Sequence, residues 1–217
     1  MADYEIQFQR TQQAAVTMAQ LEECSRLFSG HYGYWSATAE PEHLRERRIQ
    51  LSPEKIKGYF AGGQGWLAAA RVASKLIGYA IAVRIDLSAG GVSWVTQFVV
   101  HTDYQNQLVG SQILKSIWGD SQDFAWGIAS ANPFAIRALE KATRRRCSPV
   151  HMLKHRSAID AIISRIPYLH GRERHLGKLQ STIDTKFDQD IREVGSRKKI
   201  AAKGLQRDNR IGLIAWV

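Results

Sequence analysis

Three apolar runs, residues 65–72, 76–85 and 93–100, follow one another with only short connections between them. Ala73, Ser74 and Lys75 join the first two, and Ser88, Ala89, Gly90 and Gly91 lead into the third. Links this short return a strand antiparallel beside its neighbour, because a parallel return needs a crossover of about a dozen residues or more. The centre of the chain is therefore committed to an antiparallel meander, and the rest must extend or cover it.

The flanking segments do both. Residues 4–10 alternate and suit a first strand, and residues 14–28 carry apolar side chains at helical spacing. Ser52 followed by Pro53 and Glu54 is a helix start, with Ser as N-cap and Pro at the first helical position. After the meander come a helix at 111–118, a strand at 124–130 and a helix at 133–143 with Asn132 as its N-cap. Residues 150–155 read as a strand, residues 157–166 and 176–194 as polar helices, and residues 211–217 as a closing strand. This order predicts a mixed α/β (α+β) fold, a mostly antiparallel sheet of six to seven strands with helices on both faces.

Length and composition set the outer limits. The 217 residues make one domain, 1–217, with a basic, largely helical insertion at about 157–210 before the last strand. An apolar content of 44% suffices for a core and argues against global disorder. No run approaches about 18 uncharged apolar residues, so no membrane span is expected. The acidic, polar start MADYEIQFQR lacks the apolar segment of a secretory signal. Two cysteines, Cys24 and Cys147, are too few for a disulfide framework, and the reading is a reduced, cytoplasmic protein. The net charge is +10, and residues 151–217 hold 14 basic against 7 acidic side chains. Such a tail can attract polyanions, so binding of tRNA or DNA stays open, though no aromatic RNA-binding strand accompanies it.

Only one place proposes a ligand class. The strand 93–100 runs into a polar turn and then a helix opening at Gly110 and Ser111, where backbone N–H groups and a helix start can face a phosphate. A second strand–helix unit, SANPFAIRALEKATRRRC, begins about twenty residues further on. Together the two units resemble the GCN5-related N-acetyltransferase (GNAT) superfamily over about residues 4–149. The family's Gln/Arg-x-x-Gly-x-Gly/Ala loop is matched by Gln105, Asn106, Gln107, Leu108, Val109 and Gly110, followed by Ser111. Leu108 stands where the family usually has glycine, and it can still present its N–H if its φ is negative. Asn132, Ala135, Glu140 and Lys141 fall at the spacings of the family's second helix.

The resemblance implies a V-shaped sheet and a chain that uses acetyl-CoA, or another short acyl-CoA, to acylate an amine without a metal. It implies that Gln105, Leu108, Val109, Gly110 and Ser111 hold the pyrophosphate, and that Asn132 lies beside the pantetheine arm. The arm's amides need strand-like partners, and the backbones of Phe98, Val99 and Val100 are the candidates. Trp94, Phe98 and Trp126 are expected in the core.

The proton carriers are not where the family puts them. Many relatives have a Tyr on the second helix, matched here by Leu139, and a Glu on the fourth strand, which here holds no acid. His31, Tyr32 and Tyr34, in a segment bordering the acceptor site of relatives, are the candidates that remain. His151 and His155 have the spacing of a metal pair but no third ligand, so no metal site is expected. The acceptor amine, whether of a small molecule, a protein or an aminoacyl-tRNA, is not legible, and a homodimer is left open. A degenerate fold that binds acyl-CoA without turnover is the alternative reading.

Overall fold

The computed structural model describes residues 5–118, 121–176, 181–184 and 211–217. Strand β1 (Ile6–Gln12) is followed by helices α1 (Met18–His31) and α2 (Pro53–Gly58). The meander is β2 (Gln64–Val72), β3 (Lys75–Leu87) and β4 (Gly90–Val100). Then come α3 (Val109–Trp118), β5 (Ala125–Ser130), α4 (Pro133–Thr143), α5 (Pro149–Lys154) and α6 (Arg156–Arg165). Two short strands, β6 (Arg174–Leu176) and β7 (Ser181–Asp184), precede β8 (Ile211–Trp216). The strands form one sheet in the order β1-β2-β3-β4-β5-β8-β7-β6. Only β4 and β5 run parallel. Six of the strands make the expected open, mostly antiparallel sheet, and the β6–β7 hairpin adds to the edge at β8.

Local chemistry places the helices. Thr17 accepts a hydrogen bond from the Gln20 N–H while the Gln20 side chain accepts from the Thr17 N–H, a reciprocal cap that starts α1. Ser52 caps α2 and Asn132 caps α4, each with Pro in the first turn, as expected. Ser148 caps α5 in the same way, accepting from the His151 N–H with Pro149 in the first turn. Residues 150–155, expected as a strand, are therefore mostly helical. The cap and the proline outweigh the short alternation of Val150 and Met152 with polar neighbours. In the stretch 176–194, expected as helix, Ser181–Asp184 is strand β7, and the remainder lies largely outside the described residues.

The pleat divides the core into two faces. Ala80, Ala82 and Val95 turn toward α3 and α4, where Ile113, Leu114 and Leu139 are fully buried. Tyr79, Ile81 and Val99 face Leu21, Cys24 and Phe28 of α1 and Ile56 of α2. Further along that same face, Val83, Ile85 and Trp94 meet Ile159, Ile162 and Ile163 of α6. Trp94 and Trp126 are buried as expected, and Phe98 is half-buried against the α3 side.

Candidate active site

The site begins where two strands part. β4 and β5 pair only from Val92 with Ala125 to Val95 with Ile128, after which β5 continues against β8. At that point β4 bulges: Ala82 of β3 faces Val95 and Ile81 faces Gln97, so Thr96 is the extra residue. The Thr96 hydroxyl donates to the Tyr59 carbonyl at 2.8 Å, with the Ile81 carbonyl 3.2 Å away. The bulge is thus pinned to the end of α2. Past it, Gln97, Phe98, Val99 and Val100 keep ladder partners on β3 and have none on β5. A strand edge left open in this way can pair with an extended amide chain.

The closed end of the two strands is latched. The Asp123 carboxylate, 6% exposed, accepts from the Ser93 hydroxyl at 2.5 Å and from Arg84 Nε at 2.7 Å. This joins β3, β4 and the approach to β5. Trp94 lies across Gly127 on the neighbouring strand, so closely that a Cβ there would strike the indole.

The turn after β4 lies at the open end. Residues 102–104 form a single 3-10 turn capped by the His101 ring. Asn106 then has φ +63° and Leu108 φ +65°, and α3 starts at Val109. The requirement of a negative φ at Leu108 is not met: the leucine takes the left-handed conformation that glycine adopts without strain, and its side chain is 55% exposed. Gly110 serves packing, since a Cβ there would come within 2.8 Å of the Phe98 ring. The Gln112 N–H bonds the Leu108 carbonyl as the first full turn of α3 closes, so the amides of Val109, Gly110 and Ser111 belong to the helix start. Gln105 donates to the Val100 carbonyl at 3.1 Å, and the Ser111 hydroxyl donates to the Leu108 carbonyl at 2.8 Å. At the head of α4, the Asn132 side chain accepts from the Phe134 N–H at 2.9 Å, which leaves its amide N–H groups free of that cap.

The three sequence candidates for proton transfer separate. His31 lies tilted against His101 with ring centroids 3.8 Å apart, and its Nδ1 lies 3.1 Å from the Thr102 hydroxyl, beside the turn. Burial, then His101 and Arg48, hold its imidazole below the ordinary histidine value. Tyr34 is exposed, with the Arg48 guanidinium 4.7 Å above its ring. Tyr32 stacks on Phe28 at 4.2 Å. Tyr32 also neighbours residues that the sequence did not point to: Tyr59, Tyr79 and Tyr168. The rings of Tyr59 and Tyr168 lie 5.3 Å apart, and the Tyr59 hydroxyl neighbours the side chain of Gln97, just past the bulge. Tyr168 lies beside the Trp94 indole. The Tyr79 hydroxyl is buried without a hydrogen-bond partner. Burial pushes all four phenols up, so they stay protonated and act as donors.

Other candidates have structural work. Leu139 is fully buried in the core. Arg145 lies over the Trp126 ring at 4.4 Å, and Arg146 pairs with Glu140 at 3.5 Å. The Nε2 atoms of His151 and His155 lie 3.0 Å apart, and among the described residues no group of three or more His, Cys, Asp or Glu could hold a metal ion. No helix among them is long and apolar enough to cross a membrane.

Residues 21–143, more than half of the chain, match the acetyltransferase (GNAT) family. Among curated proteins none matches. Similar solved structures include the ribosomal-protein-S18-alanine N-acetyltransferase from Escherichia coli, 12% identical, covering 62% of this chain and 75% of that one with a TM-score of 0.43. An acetyltransferase of the GNAT family from Streptococcus pneumoniae is 12% identical, covering 63% and 83% with a TM-score of 0.43. An aminoglycoside acetyltransferase from an uncultured soil metagenomic sample, in complex with sisomicin, is 14% identical, covering 65% and 87% with a TM-score of 0.42. The chain belongs to the GNAT acetyltransferase family.

Proposed function

We propose that the chain transfers an acetyl or other short acyl group from its CoA thioester to an amine, with the cofactor held along the open edge of β4. The observation that carries this reading is the end of β4–β5 pairing at Val95 and Ile128, with the start of α3 beyond the same opening. In this reading the backbones of Phe98, Val99 and Val100 pair with the cofactor's amides. Gln105 and the amides of 108–111 face its pyrophosphate, and Asn132 flanks the arm. Acetyl-CoA, when bound, supplies an activated acyl group, and no metal is needed for that chemistry.

The residues around the bulge then divide the work. Gln97 and Tyr59, neighbours in space, sit beside the parting strands, and Tyr59 is a protonated donor for the departing thiolate. Tyr59→Phe should lower kcat by about 10²-fold while CoA affinity holds. β4 carries no carboxylate, so the acceptor's proton leaves to a group outside that strand or to water.

One observation favours the binder without turnover: Leu139, matched to the usual tyrosine, is sealed in the core. Calorimetry with CoA and acetyl-CoA followed by thiol release over a panel of amines separates the two readings. No binding of either thioester or thiol sinks both, and binding without thiol release leaves the binder. The acceptor class follows from the amine that releases thiol, with aminoacyl-tRNA included because of the basic tail.

A further inference from the structure

On the α1 side of the same turn lies a cavity of about 310 Å3 that the acyl-transfer reading does not use. Arg26 and His31 of α1, Ser74 and Lys75 of the β2–β3 hairpin, and His101 after β4 line it. Glu23 is also on its wall, but Arg71 ion-pairs with that carboxylate. Leu27 and Leu76 add apolar wall, and the polar groups that remain are cationic or hydrogen-bond donating.

The two imidazoles are orientated by the turn. His31 Nδ1 accepts from the Thr102 N–H at 3.4 Å, and His101 Nδ1 accepts from the Asp103 N–H at 3.3 Å. A neutral imidazole that accepts at Nδ1 carries its proton at Nε2. Both rings thus present an Nε2–H on the edge away from the turn, and the ring centroids lie 3.8 Å apart with the planes tilted by 34°. Two such donors, the Arg26 guanidinium, the Lys75 ammonium and the Ser74 hydroxyl are the donor set of a phosphate site, not of a cation site.

We propose that this cavity binds a phosphate monoester dianion through Arg26, Lys75 and the Nε2–H groups of His31 and His101. An anion there favours the tautomer that keeps both Nδ1 atoms accepting from the backbone of 102–103. Occupancy therefore steadies the turn that ends at 108–111, and by linkage an anion in the cavity and a ligand on the turn strengthen each other. The site itself does not rest on the acyl-transfer reading, since its donors face the other side of the turn.

Titration of the full chain with inorganic phosphate by calorimetry tests the site, using Lys75→Met and His101→Asn beside the unaltered protein. Lys75 is exposed, so its substitution spares the fold, and the Asn carboxamide keeps an acceptor for the Asp103 N–H while removing Nε2. Saturable uptake that weakens about tenfold in each variant, with melting temperature unchanged, is expected. CoA and 3′-dephospho-CoA identify the source. Displacement of phosphate by CoA alone assigns the cavity to the cofactor's own 3′-phosphate. Binding of both nucleotides alongside phosphate assigns it to a phosphate on another molecule. Absence of saturable uptake, or uptake that neither variant alters, overturns the proposal. Phosphate binding without CoA binding would leave the cavity standing and remove the acyl-transfer reading.

Discussion

Leu108 holds a conformation that costs a non-glycine residue roughly 1–2 kcal/mol, and it holds it with an exposed side chain that buries little in return. The turn is shaped for glycine, and if it faces the cofactor's pyrophosphate as proposed, the exposed leucine side chain stands beside that phosphate. Leu108→Gly removes the strain and uncovers the amides. The entropy that glycine gains in the unfolded chain offsets much of the relief, so stability should change by less than about 1 kcal/mol. CoA affinity should rise several-fold by calorimetry; unchanged or weaker binding would mean that this turn is not the phosphate cradle. His31 gives a pH signature at the same scale. Its depressed pKa means that the folded state binds fewer protons than the unfolded chain once the pH falls below the ordinary value of 6.5. Stability is therefore full above that value and declines as the pH drops through it toward the folded pKa. His31→Asn, which keeps an acceptor for Thr102, should flatten the fall in Tm between about pH 7 and pH 5. His151, lowered by burial and then by His155, leaves a residual slope of the same sign.

Among the elements, the V depends on being closed at one end as much as open at the other. Asp123 gathers Arg84 of β3 and Ser93 of β4 onto the segment that becomes β5. Its carboxylate is buried while the Arg84 side chain is 36% exposed, so water recovers part of what the pair would lose. Asp123→Ala should therefore cost about 2 kcal/mol in denaturant unfolding, below the full penalty of breaking a buried pair. CoA affinity should fall as the strand angle relaxes, and a variant as stable as the parent would show the latch to be idle. Much of this frame was legible in the sequence because it is written locally. Short links fixed the antiparallel meander, and Ser52–Pro53 and Asn132–Pro133 marked helices that exist. Ser148 and Pro149 carry the same cap-and-proline signal, and in the folded chain it prevails over the brief alternation at 150–155 that reads as a strand. The site was less legible. Gln97 meets Tyr59 only because Thr96 bulges and bonds the carbonyl of Tyr59, 37 positions away. Tyr168 joins them from the segment after α6, and no periodicity announces such a meeting.

At the scale of the whole molecule, charge decides how an anionic ligand arrives. The protein carries +10, and CoA carries a pyrophosphate and a 3′-phosphate. Opposite charges raise the encounter rate over distances of a Debye length, about 30 Å in 10 mM salt and about 10 Å in 100 mM. Once the cofactor is seated, short-range hydrogen bonds and packing set its escape, and salt acts on these much less. Raising the salt should therefore slow association of CoA several-fold in stopped-flow measurements while dissociation changes little. Pantetheine, with the arm but no phosphates, supplies the control and should associate at a salt-independent rate. The same field works against polycationic acceptors, which would have to approach a protein of their own sign. Equal salt dependence for CoA and pantetheine would remove steering from the account and leave the basic excess as a solvated surface.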